Sequence, residues 1–258
     1  MLVDSHCHLD RLDLEHLGGD MDTVMAQAQA LGVSRMLCVS INLKAWDDMM
    51  AIVDAYPHVF GSVGVHPNED EEEPSADDLL SRAQHQKIIA IGETGLDYFR
   101  SEGDLDWQRE RFRTHIQVAK QCNKPLIIHS REAQPDTLNI MEQEGAKEPG
   151  GIMHCFVDDW DTAQRAIDNN FYISFSGIVT FRSAKTLRDV ATKVPLESML
   201  VETDSPYLTP VPYRGKTNQP GYTRHVAECI AELRGISVEE VIEATTRNFD
   251  TLFPTAHI

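Results

Sequence analysis

Apolar, β-favouring segments recur along the chain, and each is followed by a stretch in which apolar positions have helical spacing. We predict eight strands, over Leu2–His8, Arg35–Ser40, Phe60–His66, Ile88–Glu93, Leu126–His129, Gly151–Cys155, Phe171–Ser176 and Met199–Asp204. Helices are predicted between them and after them, over Met21–Leu31, Lys44–Ala55, Ala76–Gln84, Asp104–Gln121, Thr137–Glu144, Trp160–Asn169, Ala184–Lys193, Arg224–Arg234 and Val238–Asn248. Ser75 with Asp78, and Ser237 with Glu240, fit the pattern that caps a helix N-terminus.

Strict alternation of strand and helix predicts parallel strands joined by crossover helices. Eight such units in 258 residues match the size of an α/β fold of the (β/α)8 TIM-barrel type. An open doubly wound sheet is the alternative, but it would usually carry a glycine-rich phosphate loop, and the sequence contains neither G-x-G-x-x-G nor a P-loop. Since no repeat or linker divides the chain, residues 1–258 are predicted to form one TIM-barrel domain.

Composition limits the partners. The net charge of −18 excludes a broadly basic face for gripping a long duplex, so a nucleic acid would have to be held locally. No apolar run approaches the roughly 20 residues of a membrane span, and no basic-then-apolar leader is apparent, which predicts a cytoplasmic protein without a membrane partner. The five scattered cysteines predict reduced thiols, and the acidic run Glu69–Glu73 a solvated loop.

Metal-competent side chains fall at the predicted C-terminal ends of five strands, the functional face of a barrel. His6 and His8 are one residue apart and would share one strand face, as the beginning of a chelate. The whole set comprises His6, His8, Glu93, His129, His154 and Asp204. Four imidazoles and two carboxylates can hold two divalent ions if one carboxylate bridges them.

A serine or cysteine nucleophile is poorly supported. The sequence contains no G-x-S-x-G elbow. Cys7 and Cys155 are neighbours of proposed ligands, but strand alternation predicts that both point to the opposite face and pack there.

The motifs of the chain resemble those of the TatD-type metal-dependent deoxyribonucleases, within the amidohydrolase-like barrel superfamily. The resemblance extends over nearly the whole chain and rests on Asp4–His8, Gly64–Pro67, Gly92–Asp97, His129–Arg131, His154–Phe156, Ser174–Gly177, Glu202–Leu208, Arg214–Asn218 and Asn248–Phe249. The chain differs from the family pattern at Asn68, where a second histidine is usual, and at Val157-Asp158, where Ser-Gly is usual.

This resemblance implies a ligand assignment. His6, His8 and Asp204 would bind one metal, His129 and His154 the other, and Glu93 would bridge them. His66 matches the family's His-Pro motif and is a candidate substrate contact.

The resemblance also implies a 3′–5′ deoxyribonuclease supported by Mg²⁺. Four imidazoles, by contrast, favour Zn, Mn, Fe or Ni on ligand softness. We therefore expect two divalent ions per chain, of Mg, Mn or Zn.

The first functional hypothesis is a two-metal phosphodiesterase, in which a water activated between the ions attacks phosphorus. Asp204 is the candidate for assisting deprotonation of that water, beside the bridging Glu93. For Glu202, two residues earlier on the same strand face, direct participation and a supporting role are both open.

Cationic and aromatic residues on the loops beyond the strands are candidate substrate contacts. Arg131, Arg182, Arg214 and Lys216 could contact phosphate, and Tyr98, Phe99, Tyr207 and Tyr213 could stack a base. Such a small basic patch suits a nucleic-acid strand end, without stable binding of duplex.

Two other classes of function remain. An amidohydrolase or a D-aminoacyl-tRNA deacylase could use the same metal site, because the loops rather than the strand-end ligands select the chemistry. The basic loop after Asp204 favours phosphate. A binding protein with a vestigial metal site would have lost at least one ligand, and all six are present.

Overall fold

The computed structural model describes residues 1–70 and 73–256, so residues 71–72 of the predicted acidic loop lie outside the described part. Within that part, the strands are β1 Leu2–Cys7, β2 Val33–Cys38, β3 Val59–Val63, β4 Ile88–Asp97, β5 Leu126–Arg131, β6 Gly151–Met153, β7 Phe171–Phe175 and β8 Met199–Val201. The helices are α1 Met21–Ala30, α2 Trp46–Ala55, α3 Ala76–Ala83, α4 Asp106–Cys122, α5 Gln134–Gln143, α6 Trp160–Asp168, α7 Lys185–Lys193, α8 Thr223–Arg234 and α9 Val238–Leu252. Every predicted strand and helix is present, with shifted ends.

The eight strands form one parallel sheet in sequential order from β1 to β8. After β8 the chain meets β1 again: Asp204 N donates to His6 O at 2.9 Å, and His8 N donates to Ser205 O at 2.8 Å. The sheet is therefore a nearly closed barrel, which confirms the (β/α)8 prediction. A doubly wound sheet is excluded, because its strand order would reverse at a switch point.

Two apolar clusters account for the packing. The smaller one joins side chains of the barrel strands, among them Val3, Phe60 and Leu200, to Phe249 and Phe253 at the C-terminal end of the chain. The larger one lies between the strands and the surrounding helices. Apolar side chains thus fill part of the barrel, and the buried polar side chains are concentrated where the strands end.

The C-terminal segment is tied to the barrel by a buried arginine. Arg35 on β2 donates to Asp250 Oδ1 at 2.6 Å and to Ala256 O at 2.8 Å. The capping pattern predicted for α9 is confirmed as a capping box between Ser237 and Glu240, and the side chain of Ser75 accepts from Asp78 N at the start of α3. In the described residues we find no helix with the length and apolar character needed to cross a membrane.

Gly95 allows β4 and β5 to approach each other closely near the C-terminal end of the barrel. Gly95 on β4 has φ +132°, and a Cβ there would lie 2.0 Å from His129 O on β5. A residue with a side chain could not be accommodated without moving β5, so glycine allows the backbone of β4 to lie close to His129 on β5.

Candidate metal centre

The two histidines of β1 place their ring nitrogens side by side. His6 Nε2 and His8 Nε2 are 3.2 Å apart, and both rings are buried. The register between β1 and β2 shifts between Asp4 and Cys7, so regular strand pairing is interrupted in the segment that carries His6. His8 Nδ1 lies 2.9 Å from Val39 O, a carbonyl that can only accept. The proton of neutral His8 is therefore on Nδ1, and Nε2 has a free lone pair.

A first group of donor atoms forms around these nitrogens. Glu93 Oε2 lies 3.4 Å from His6 Nε2 and 3.9 Å from His8 Nε2. Asp204 Oδ1 lies 3.3 Å from His8 Nε2 and 3.7 Å from His6 Nε2. Ligands that bind a tetrahedral ion at about 2.0–2.2 Å are roughly 3.3–3.6 Å from one another. His6, His8 and Glu93 lie close enough together to hold a single divalent ion, and Asp204 adds a carboxylate oxygen close to both imidazoles.

A second group forms around the other oxygen of the same carboxylate. Glu93 Oε1 lies 3.1 Å from His129 Nδ1, 3.0 Å from His154 Nε2 and 3.4 Å from His66 Nε2. The His154 ring also stacks on His6, with 3.8 Å between centroids. One carboxylate thus faces both groups, which is the arrangement that a bridging ligand requires.

His66 presents an N–H group, rather than a lone pair, to the second group of donor atoms. Its Nδ1 accepts from Asn68 N at 3.0 Å, so the proton of the neutral ring lies on Nε2. Burial lowers the pKa of His66 to about 3, which keeps the ring neutral. The Nε2–H points at the group around Glu93, where it can donate to a carboxylate or to a substrate oxygen.

Asp97, which sequence reasoning missed, orients His129. Its Oδ2 accepts from His129 Nε2 at 3.1 Å and from Asn68 Nδ2 at 2.7 Å, and its Oδ1 accepts from the backbone N–H of Phe99 and Arg100. Burial alone would raise the pKa of Asp97, but these hydrogen bonds hold it below its usual range. The only signal was its place in the Gly92–Asp97 motif.

Glu202 does the same for His154. It is completely buried and accepts from His154 Nδ1 at 3.0 Å, Cys155 N at 2.8 Å and Ser174 Oγ at 2.6 Å. Although His6, His154 and Glu202 form a further cluster of donor atoms, both oxygens of Glu202 are already hydrogen-bonded. The geometry favours the supporting role: Glu202 directs His154 Nε2 toward the second group.

The electrostatics of the cluster favour ionised carboxylates. Burial would raise the pKa of Glu93, but the neighbouring His154, whose own pKa is raised well above its usual range, holds the Glu93 pKa well below the usual range. Burial would likewise raise the pKa of Asp204, and the protonated form of His8, which also carries a proton on Nε2, holds that pKa below its usual range. Protonated imidazoles beside these carboxylates therefore act as a bound cation would, and both carboxylates are anionic donors at neutral pH.

A cleft of about 660 Å³ opens onto the two groups. Its lining includes Arg131, as the sequence led us to expect, and also Arg11 and Arg100, which the sequence analysis did not single out. Among the described residues of the lining, neither Arg214 nor Lys216 is found. Arg214 lies over the Phe181 ring at 3.9 Å and Lys216 over the Tyr213 ring at 5.6 Å, both on the loop after β8.

The two cysteines beside proposed ligands differ from each other. Cys7 is buried in the larger apolar cluster, between the strands and the surrounding helices, and its Sγ contacts Leu37 O, as predicted. The prediction for Cys155 is wrong: this residue borders the cleft, because β6 ends at Met153 and strand alternation no longer applies two residues later. Burial raises the pKa of both thiols, which argues against either as a nucleophile.

Comparison of the sequence and the fold with known proteins identifies the family. Residues 3–254 match the family model described as TatD related DNase. "Uncharacterized metal-dependent hydrolase YcfH" of Escherichia coli (strain K12) is 49% identical over 252 residues, covering 98% of this chain and 95% of that protein. "3'-5' ssDNA/RNA exonuclease TatD" of Salmonella typhimurium is 32% identical over 242 residues, covering 91% and 93%. The solved structure of YjjV, a TatD homolog from Escherichia coli k12, superposes with a TM-score of 0.91 at 26% identity, covering 98% of both chains.

Proposed function

We propose that this chain, which belongs to the family of TatD-related DNases and is a metal-dependent hydrolase, removes nucleotides from the 3′ end of a single nucleic-acid strand. The main support for this proposal is the Glu93 carboxylate, whose two oxygens face separate groups of donor atoms at one end of the barrel. Two divalent ions of Mg, Mn or Zn held by His6, His8, Asp204, His129, His154 and Glu93 would fit this arrangement. A 32% identical relative named as a 3′–5′ exonuclease on single-stranded DNA and RNA supports the direction of digestion.

When bound, the ions would lower the pKa of an attacking water and offset negative charge on the phosphate oxygens. The protein side chains supply the rest. Asp204 borders the cleft with an ionised carboxylate that can accept the proton of the water. His66 offers its Nε2–H to a non-bridging phosphate oxygen. Arg11 and Arg131 on the cleft wall can hold neighbouring phosphates as guanidinium–phosphate pairs.

Three arginines in the cleft lining, Arg11, Arg100 and Arg131, favour phosphodiester hydrolysis over a small-molecule amidohydrolase on the same donor groups. A small carbonyl substrate would need no guanidinium contacts, whereas each phosphate of a strand carries a charge that arginines neutralise. The relative named as an exonuclease, rather than the arginines, favours a nuclease over a deacylase, because transfer RNA also carries phosphates.

The decisive experiment is digestion of end-labelled single-stranded oligonucleotides by metal-stripped protein with Mg²⁺, Mn²⁺ or Zn²⁺ restored. Labels at either end report the polarity. We expect a metal-dependent ladder from the 3′ end, lost in Glu93→Ala and His129→Ala. His16→Ala is the matched control, because that histidine is on the surface, with its side chain 70% exposed.

Two results would contradict the proposal. A wild type that binds two metals and hydrolyses an ester or amide, yet leaves DNA and RNA intact, would favour the amidohydrolase or deacylase. A ladder that survives in Glu93→Ala would place the chemistry elsewhere.

A further inference from the structure

We propose that the two bases flanking the scissile phosphate stack on opposite walls of the cleft, one on the Phe99–Arg131 pair and the other on Tyr207. This inference rests on the proposed function and names what selects the substrate. It would make the enzyme specific for an unpaired strand end, through residues that touch bases rather than phosphate.

Of the four aromatic residues that the sequence offers for stacking, two are about half exposed. Phe99 is 55% exposed and Tyr207 is 49% exposed. Tyr98 donates its hydroxyl to Asp136 at 2.7 Å and its ring lies under a guanidinium. Tyr213 stacks on Tyr222 with 4.4 Å between centroids. Tyr98 and Tyr213 are therefore engaged in packing, whereas Tyr207 offers its ring to the cleft and Phe99 supports the Arg131 guanidinium on its ring.

Phe99 and Tyr207 lie on opposite sides of the barrel mouth. Phe99 follows β4 and Tyr207 follows β8, and these strands are separated by half of the eight-stranded barrel. Residues just beyond the C-terminal ends of such strands face one another across the mouth.

Each wall is connected to one of the two donor groups. The backbone N–H of Phe99 donates to Asp97 Oδ1 at 3.0 Å, and Asp97 holds His129 of the second group. On the other side, Tyr207 N donates to Asp204 O at 2.9 Å, and the Tyr207 ring centroid is 6.0 Å from that of His8 in the first group. A phosphate held at Glu93 would thus have one wall on either side of it.

Arg131 supplies the stacking surface of the first wall. Its guanidinium carbon lies 4.1 Å from the centroid of the Phe99 ring, and within the described chain Arg131 lines the cleft whereas Phe99 does not. The guanidinium is thus backed by the ring and faces the cleft. Guanidinium planes and tyrosine rings both stack on nucleobases without strong sequence preference.

Opposed walls impose a condition on the substrate. A base drawn to Arg131 and its neighbour drawn to Tyr207 cannot remain stacked on each other. In a duplex both bases are paired and stacked, so binding would require unstacking at a cost of a few kcal/mol, and a frayed or single strand avoids that cost. The two walls therefore favour binding of single strands over duplex, although they make no sequence-specific hydrogen bonds to the bases.

The test compares Phe99→Ala and Tyr207→Ala with wild type on an oligothymidylate and on a matched strand of abasic residues. We expect each variant to raise KM on the oligothymidylate about tenfold, since stacking on a side chain changes affinity by roughly 5- to 150-fold. On the abasic strand the variants and the wild type should agree within twofold. Trp107→Ala is the control, because Trp107 is also exposed, by 40%, but does not line the cleft.

The conservative variants Tyr207→Phe and Phe99→Tyr should restore KM, which a folding defect would not allow. Equal losses on the oligothymidylate and the abasic strand, or no loss on either, would overturn the inference. If the wild type cleaves neither strand, the proposed function fails. Anisotropy titration of the labelled oligothymidylate and its abasic counterpart with Ca²⁺ present then tests stacking separately: a tenfold preference for bases that Tyr207→Ala abolishes supports it, and equal binding refutes it.

Discussion

Replacing Glu202 by Gln should weaken metal binding at His154 without disturbing the shape of the site. Glu202 Oε1 accepts from His154 Nδ1 and from Cys155 N, and Oε2 accepts from Ser174 Oγ. A glutamine of the same shape keeps an oxygen for the first two donors. Its amide nitrogen would face Ser174 Oγ, and that hydroxyl can rotate to accept. The substitution therefore removes the charge and leaves the hydrogen-bond geometry in place.

The magnitude follows from the His154 hydrogen bond. A hydrogen bond to an ionised acceptor contributes about 1.5–3 kcal/mol and one between neutral groups about 0.5–1.5 kcal/mol. The loss of about 1.4 kcal/mol corresponds to roughly a tenfold weaker affinity for the ion at His154. Glu202→Ala also leaves three buried donors without an acceptor, so we expect it to weaken binding roughly a hundredfold.

Calorimetric titration of metal-stripped protein with Mn²⁺ or Zn²⁺ would measure both affinities. Ser174→Ala is the control: it removes a hydrogen bond to the same carboxylate but leaves the His154 contact, and we expect an effect below about threefold. A Glu202→Gln variant that binds both ions as tightly as the wild type would refute the claim that this carboxylate tunes His154. So would a Ser174→Ala variant as impaired as Glu202→Gln.

Two further predictions concern stability. His115 is fully buried, accepts from Val65 N and donates to Arg111 O, and burial lowers its pKa to about 4 from 6.5. As the pH falls, the unfolded chain therefore takes up a proton on His115 before the folded chain does. The contribution of His115 to the free energy of unfolding should fall by about 3 kcal/mol between pH 6.5 and pH 4. Urea unfolding at pH 7 and pH 4.5 should show a smaller loss of stability in His115→Gln than in the wild type. Ser237→Ala should lower the free energy of unfolding by about 1 kcal/mol, because it removes the capping box of α9, and an unchanged urea midpoint would contradict this.

The order and type of the elements could be predicted because they are written in local periodicity. Apolar runs followed by helical spacing predicted every strand and every α-helix that the structure describes, but not its short 3-10 helices. Parallel strands bring their C-terminal ends to one face, so the six proposed ligands could be placed near one another without coordinates. The ends of elements were less predictable. β4 continues to Asp97, four residues beyond the predicted end, and β6 stops before His154, which is why Cys155 turned toward the cleft.

The roles of individual atoms could not be predicted, because they depend on partners distant in sequence. That His66 is a donor follows from the backbone N–H of Asn68, and that His129 presents Nδ1 follows from Asp97. Arg214 and Lys216 have the right charge on the right loop, yet their side chains lie over Phe181 and Tyr213 outside the cleft lining.

By itself, the sequence determined the parallel barrel and the set of side chains at its functional end, since strand and helix periods and parallel connection are local rules. Only the tertiary structure decided which oxygen of Glu93 faces which histidines, which carboxylates orient His129 and His154, and which cations line the cleft. These depend on distances of a few ångströms between strands far apart in the chain. Such distances are set by how the strands and loops pack around the barrel, and no pattern within one segment records them.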